Sequence, residues 1–129
     1  GIVGQDALPV IEICPKAKFF DFEAKYTAGK TEYIVPAKIP ARTARDLQKT
    51  ALDAHELLGC ADFSRVDFML DSEEKYYILE VNTIPGFTST SLLPKAAQQQ
   101  GMSFGQLCLK ITGLGYGKKK EVKDTTIHY

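Results

Sequence analysis

At 129 residues, with 44% apolar and 25% charged side chains, the chain is the size of one ordinary domain and can bury a real core, which excludes wholesale disorder. Its 16 Lys and Arg balance its 16 Asp and Glu, so no bulk field favours nucleic acid, an anionic membrane or a basic partner. The 3 cysteines, Cys14, Cys60 and Cys108, are too scattered for a disulfide framework or a zinc cluster, and the sequence has neither a leader pattern nor a membrane-length apolar run; a reducing, cytoplasmic setting is expected.

In chain order, Gly1 to Gly4 reads as the middle of a strand, as though residues preceded it. LPVIEIC (8–14) is β-branched and ends at Pro15, which predicts a strand carrying Glu12. Residues 15–31 lose all periodicity and mix aromatics with lysines; a loop of that length inside a compact domain is more often functional than idle. TEYIVP (31–36) is a short extended piece. From Ala41 to Leu58, Ala44, Leu47, Ala51, Leu52, Ala54, Leu57 and Leu58 recur at three and four, with Gly59 just beyond, which predicts an amphipathic helix.

FSRVDFMLD and KYYILEVNT, parted by SEE, read as an antiparallel hairpin. A loop from Ile84 to Thr90 follows, then a helix over about 91–100 with Pro94 in its first turn and Gly101 past its end. Ser103 is placed to cap a last helix, FGQLCLKITGL, expected to stop in GLGYG. The remainder is polar and aperiodic and reads as a frayed tail. There is no internal repeat, and a sheet with segregated helices makes the fold α+β.

The chemistry concentrates in the hairpin. Alternation puts Arg65, Asp67 and Met69 on one face of the first strand and Tyr76, Ile78, Glu80 and Asn82 on one face of the second. With Ser72 to Lys75 as the connecting loop, Asp71 pairs with Tyr76 and Asp67 falls opposite Glu80. Like charges opposed across a sheet need a positive compensator. One answer is a divalent cation: two carboxylates and an amide oxygen are hard ligands of the Mg²⁺ type, and Arg65 could hold an anion beside it. The other is a solvated sheet face with Arg65 as a surface partner. Glu80-x-Asn82 running at once into Thr83-x-Pro85-Gly86 and a row of hydroxyls favours the first, because a turn there can aim backbone N–H groups at the same ligand.

GCADFSRVDFMLD, ILEVNTIPGFTSTSLLPKAAQQQGMSF and FFDFEAKYTAGKTEYIVPA resemble the carboxy-terminal domain of the D-alanine:D-alanine ligases, ATP-grasp enzymes of peptidoglycan precursor synthesis, over about Gln5 to Gly115. The resemblance implies an ATP-grasp carboxy-terminal domain, largely antiparallel sheet with helices packed on it, over 1–115, with a mobile loop at 15–31 and a polar tail at 116–129. It implies two Mg²⁺ ions, with Mn²⁺ as a substitute, held by Asp67, Glu80 and Asn82, with ATP as co-substrate. Arg65 matches the arginine that stabilises the transferring phosphate, and Gly86 the glycine whose N–H helps form the oxyanion site. Ser91 and Leu92 match the pair that binds the second D-alanine's carboxylate. Lys25 and Tyr26 match the lysine and tyrosine of the mobile loop. Phe19 and Met69 match walls of the adenine pocket, with a core or loop-packing role the equal alternative for Phe19 and core packing the default for Met69.

The implied reaction makes an acyl phosphate from one D-alanine and ATP, which the amine of a second D-alanine then attacks. The family's amino-terminal and central domains have no counterpart in this sequence, so the chain reads as the metal and acceptor part of a ligase, inactive alone. Surfaces facing those domains should be apolar, and a homodimer of the parent is compatible with that. The alternative is a free-standing ATP-grasp-derived binding module, against which the intact Asp67, Glu80, Asn82 and Arg65 speak.

Overall fold

Gly4 holds a φ of 63° and closes the tight turn between β1 (Ile2–Val3) and β2 (Asp6–Ala7), a conformation that costs glycine nothing. In the computed structural model, which describes residues 1–15 and 31–123 with side chains as far as residue 117, this hairpin is one flank of a four-stranded sheet. β1 pairs with β5 (Phe63–Leu70), β5 pairs with β6 (Tyr76–Asn82), and the order is β2-β1-β5-β6 with every pairing antiparallel. β3 (Glu12–Pro15) and β4 (Thr31–Ile34) form a separate antiparallel pair. The three helices among the described residues are α1 (Ala41–Leu57), α2 (Leu92–Gln99) and α3 (Phe104–Lys123). The α+β, antiparallel architecture is the one expected.

The sheet divides the core in two. Ile2, Ala51 and Val66, joined by Phe68 and Val81, pack between the sheet and α1. Val3, Leu8, Leu93, Ala96, Ala97 and Leu107 pack between its other side and the α2–α3 pair. Each fully buried leucine contributes roughly 1.5–3 kcal/mol, so these clusters hold the strands flat against both helical layers.

α1 presents Thr43, Leu47, Ala51 and His55, spaced at four, to the sheet. The two polar members are satisfied across the layer. Thr43 donates to Glu74 Oε2 at 2.7 Å, and His55 Nδ1 lies 2.7 Å from Ser64 Oγ. Because His55 takes the buried position, Leu57 lies about 200° around the helix from it and is 86% exposed. Leu58, the C-cap, is 67% exposed. Neither belongs to the apolar face that the spacing predicts.

Three further stretches depart from the sequence pattern. Leu8 to Ile11 are not strand: Leu8 N–H donates to the Gly1 carbonyl at 2.8 Å, Gln48 Nε2 holds the Leu8 carbonyl at 3.0 Å, and Pro9 has no N–H for a ladder. GLGYG does not end the last helix, which runs to Lys123; none of Gly113, Gly115 and Gly117 adopts the positive φ that a stop requires. Met69 is not core but 57% exposed. Elsewhere the signals hold. Gly59 (φ 64°) and Gly101 (φ 84°) terminate α1 and α2. Ser103 and Gln106 exchange the two bonds of a capping box at 3.3 and 2.8 Å. The loop expected at 15–31 lies, apart from its end residues, outside the described residues. Leu79, Ile84 and Tyr77 are apolar side chains left exposed.

Leu107 is fully buried between α2 and α3. Leu107→Ala is expected to destabilise the fold by about 2–5 kcal/mol, the range for a large-to-small change in a packed core, read as a lowered urea midpoint with unchanged m-value.

Candidate functional site

Alternation along β5 decides which side chains meet. Ser64, Val66 and Phe68 turn toward α1, so Phe63, Arg65, Asp67 and Met69 turn to the α2 side. The ladder sets Arg65 opposite Asn82, Val66 opposite Val81 and Asp67 opposite Glu80, which is the predicted register at the site. Beyond it the register slips by one: Phe68 pairs with Ile78 and Leu70 with Tyr76, leaving Leu79 as an extra residue on β6. The turn is Asp71 to Lys75, one residue longer than expected. Asp71 Oδ1 accepts the N–H groups of Glu73 and Lys75 at 2.9 Å each, and Glu74 takes a φ of 62°.

The bulge therefore reverses Tyr76 and Ile78, which do not share a face with Glu80 and Asn82. Tyr76 instead meets Phe68 edge-on at 6.0 Å and lies 3.2 Å from Thr50 Oγ1 of α1.

Arg65 grips Asp67 with both prongs, Nε to Oδ1 at 2.7 Å and Nη2 to Oδ2 at 2.9 Å, and Nη2 lies 3.6 Å from Glu80 Oε1. The compensating cation between the two carboxylates is thus Arg65 itself. It is no surface partner: its side chain is 21% exposed and that of Asp67 27%, while Glu80 is 59% exposed. Among the described residues no group of three or more His, Cys, Asp or Glu gathers as a metal cage. The hard donors are two carboxylates and the Asn82 amide oxygen. That set suits Mg²⁺, which uses one or two carboxylates and keeps its remaining positions for water and phosphate oxygens. Asn82 Oδ1 accepts Ile84 N–H at 3.0 Å and has a second lone pair for a cation.

The turn after Asn82 leads through buried Pro85 to Gly86, whose backbone lies against Ser91. A Cβ on residue 86 would stand 3.2 Å from Ser91 Oγ. Ser91 is the N-cap of α2, yet its hydroxyl makes no capping bond. The third helical residue is Pro94, so one N–H that such a serine would ordinarily accept does not exist. Ser91 Oγ instead accepts Thr88 N–H at 3.0 Å and pairs with Thr88 Oγ1 at 2.8 Å. The uncapped first turn of α2, with its N–H groups and dipole, favours an anion.

Arg65, Asp67, Met69, Glu80 and Leu92 line one cleft of about 650 Å³, with Glu12 and Ile13 of β3 across from them. Asn82, Gly86 and Ser91 do not line it. Phe19, Lys25 and Tyr26 lie outside the described residues. Next to the cleft, burial first and the Glu12 carboxylate second push the Cys14 thiol above its ordinary range. The residue that sequence reasoning passed over is Thr88; the row of hydroxyls was visible, but not which of them would bond to Ser91.

Residues 1–112 match the family described as D-ala D-ala ligase C-terminus. The D-alanine--D-alanine ligase of Methylacidiphilum infernorum (isolate V4) is 48% identical over 116 residues, which cover 90% of this chain and 38% of that protein. The enzyme of the same name from Geotalea uraniireducens (strain Rf4) is 49% identical over 111 residues, 86% of this chain and 36% of that protein. Among solved structures, D-alanine--D-Alanine Ligase from Bacillus anthracis complexed with ATP superimposes with a TM-score of 0.76 at 36% identity, covering 93% of this chain and 39% of that one. VanG D-Ala:D-Ser Ligase from Enterococcus faecalis gives 0.73 at 38% identity, covering 87% and 34%. The chain spans little more than a third of the length of these relatives.

Gly86→Ala is expected to push Ser91 Oγ by a few tenths of an ångström and perturb its pair with Thr88, because the added methyl would stand 3.2 Å from that oxygen. Two-dimensional amide NMR should show the Thr88 and Ser91 signals moved and the β5 and β6 signals in place. Unmoved Thr88 and Ser91 signals would contradict the close approach.

Proposed function

The chain belongs to the D-ala D-ala ligase C-terminus family, and from that premise we propose that it supplies the metal-holding and acceptor-binding part of an ATP-dependent D-alanine:D-alanine ligase acting in peptidoglycan precursor synthesis. The observation that carries the reading is the Arg65–Asp67–Glu80 cluster facing the α2 side of the sheet. A guanidinium between two carboxylates there suits both a divalent cation and the phosphate oxygens that come with it.

Asp67, Glu80 and Asn82 would hold Mg²⁺, or Mn²⁺ in its place, and the bound ion would neutralise phosphate charge. The protein's own groups do the rest. Arg65 can release a prong from Asp67 to take an oxygen of the transferring phosphoryl group, and its fork geometry keeps that oxygen in register. One substrate carboxylate attacks the γ-phosphate of ATP, forming an O–P bond and expelling ADP. The amine of the second amino acid then attacks the acyl carbon, loses its proton and expels phosphate. In each step negative charge collects on oxygens near Arg65 and the Gly86 N–H, so positioning and electrostatics supply the acceleration.

Ser91 and Leu92, at the uncapped start of α2, bind the acceptor's carboxylate and so aim its amine. By the family resemblance, Lys25 would meet phosphate and Tyr26 would help close the substrate site, while Phe19 and exposed Met69 would wall the adenine. The apolar surface around Leu79 and Ile84 is ground on which the rest of a longer ligase, or a second copy in a homodimer, would pack. No helix among the described residues is long and apolar enough to cross a membrane, and three free cysteines suit the cytoplasm.

The full-length gene product is expected to form D-alanyl-D-alanine from D-alanine and ATP, and the 129 residues alone are expected not to. Arg65→Gln in the full-length protein should lower kcat by about 10²–10³, the cost of one lost charge-stabilising donor, while circular dichroism shows a retained fold. No ligation by the full-length protein, or robust ligation by the 129 residues alone, would overturn the reading.

A further inference from the structure

We infer that Thr88 is a positioning residue that turns the Ser91 hydroxyl outward as a hydrogen-bond donor to the acceptor's carboxylate; this rests on the reading that Ser91 meets that carboxylate. The protons around one oxygen set its direction. Ser91 Oγ has two lone pairs and one hydrogen. The Thr88 N–H at 3.0 Å can only donate, so it fills the first lone pair.

The contact at 2.8 Å between Thr88 Oγ1 and Ser91 Oγ runs in one of two directions. If Ser91 donates to Thr88, the serine has no proton to offer, and the threonine's own proton points toward Thr90 Oγ1, 3.3 Å away. If Thr88 donates to Ser91, both serine lone pairs are filled, and the serine proton must point out of the cluster. A carboxylate is acceptor-only, so its arrival selects the second arrangement, and rotation of two hydroxyls is all that it requires.

Two features keep Ser91 from other uses. Pro94 removes the third-residue N–H that a capping serine would accept, and no capping bond is made. Gly86 stands where a side chain would press on Ser91 Oγ, at 3.2 Å from its first carbon. The backbone reinforces the pairing, since Ser91 N–H donates to the Thr88 carbonyl at 2.9 Å. Thr88 thus fixes Ser91 through three bonds, only one of which needs its side chain. That single hydroxyl can be removed without disturbing the turn.

The test is Thr88→Val against Thr88→Ser in the full-length gene product, with separate KM values for ATP and for donor and acceptor D-alanine. Thr88→Val is expected to raise the acceptor KM about five- to tenfold, the scale of one weakened hydrogen bond to a charged group, with the other two KM values unchanged; Thr88→Ser should restore it. In a Ser91→Ala background Thr88→Val should add nothing further. Ligation with an unchanged acceptor KM in Thr88→Val, or an effect that persists fully in Ser91→Ala, overturns the positioning role alone. Failure of the wild-type protein to ligate overturns the functional reading, and this inference falls with it.

Discussion

The two-residue alternation of β5 is the constraint on which the rest of the molecule depends. Ser64, Val66 and Phe68 are committed to the layer beneath α1, and that commitment leaves Arg65, Asp67 and Met69 no side of the sheet but the other. A slip of one residue along the whole strand would bury a guanidinium and a carboxylate under α1 and expose valine and phenylalanine. The penalty for that exchange holds the register where the charges are.

Within that frame the charges settle one another. Two carboxylates opposed across a ladder repel, and a unit charge pair at 4 Å is worth about 4 kcal/mol at an effective dielectric of 20. Exposure of Glu80 weakens its share, whereas the Arg65–Asp67 fork is mostly shielded. Arg65 thus serves both carboxylates, through a two-bond fork to Asp67 and a longer contact to Glu80. The bulge at Leu79 lies immediately beside it. It lets β6 present Glu80 and Asn82 to the site while its far half sends Tyr76 back to α1, so one strand serves both faces.

The geometry at the start of α2 follows from chain connectivity. β6 ends in Asn82, the Asx turn to Ile84 redirects the chain, buried Pro85 anchors it, and Gly86 lets it pass against Ser91. The α2 first turn is held in place by Leu93, Ala96 and Ala97 in the core rather than by a cap. Packing thus supports a helix end that no side chain caps, an arrangement that would be a weakness in a helix without a buried face.

The sequence by itself determined the hairpin, all three helix starts, the helix-ending glycines at 59 and 101, and the opposition of Asp67 to Glu80, because alternation, 3.6-residue spacing and capping chemistry are local. It also carried the family, through long motifs in order. Only the tertiary structure decided that Leu79 bulges, that Tyr76 and Ile78 turn away from Glu80, that Met69 faces the cleft, and that Leu8 to Ile11 lie outside the strands, with the Leu8 carbonyl held by Gln48 and the Val10 carbonyl by Ala37 N–H. Those outcomes rest on contacts between residues far apart in the chain. The same holds for Ser91: a run of four hydroxyls and hydroxyl-free neighbours looks alike from either end, and only the fold of the turn chose Thr88 as the partner that orients it.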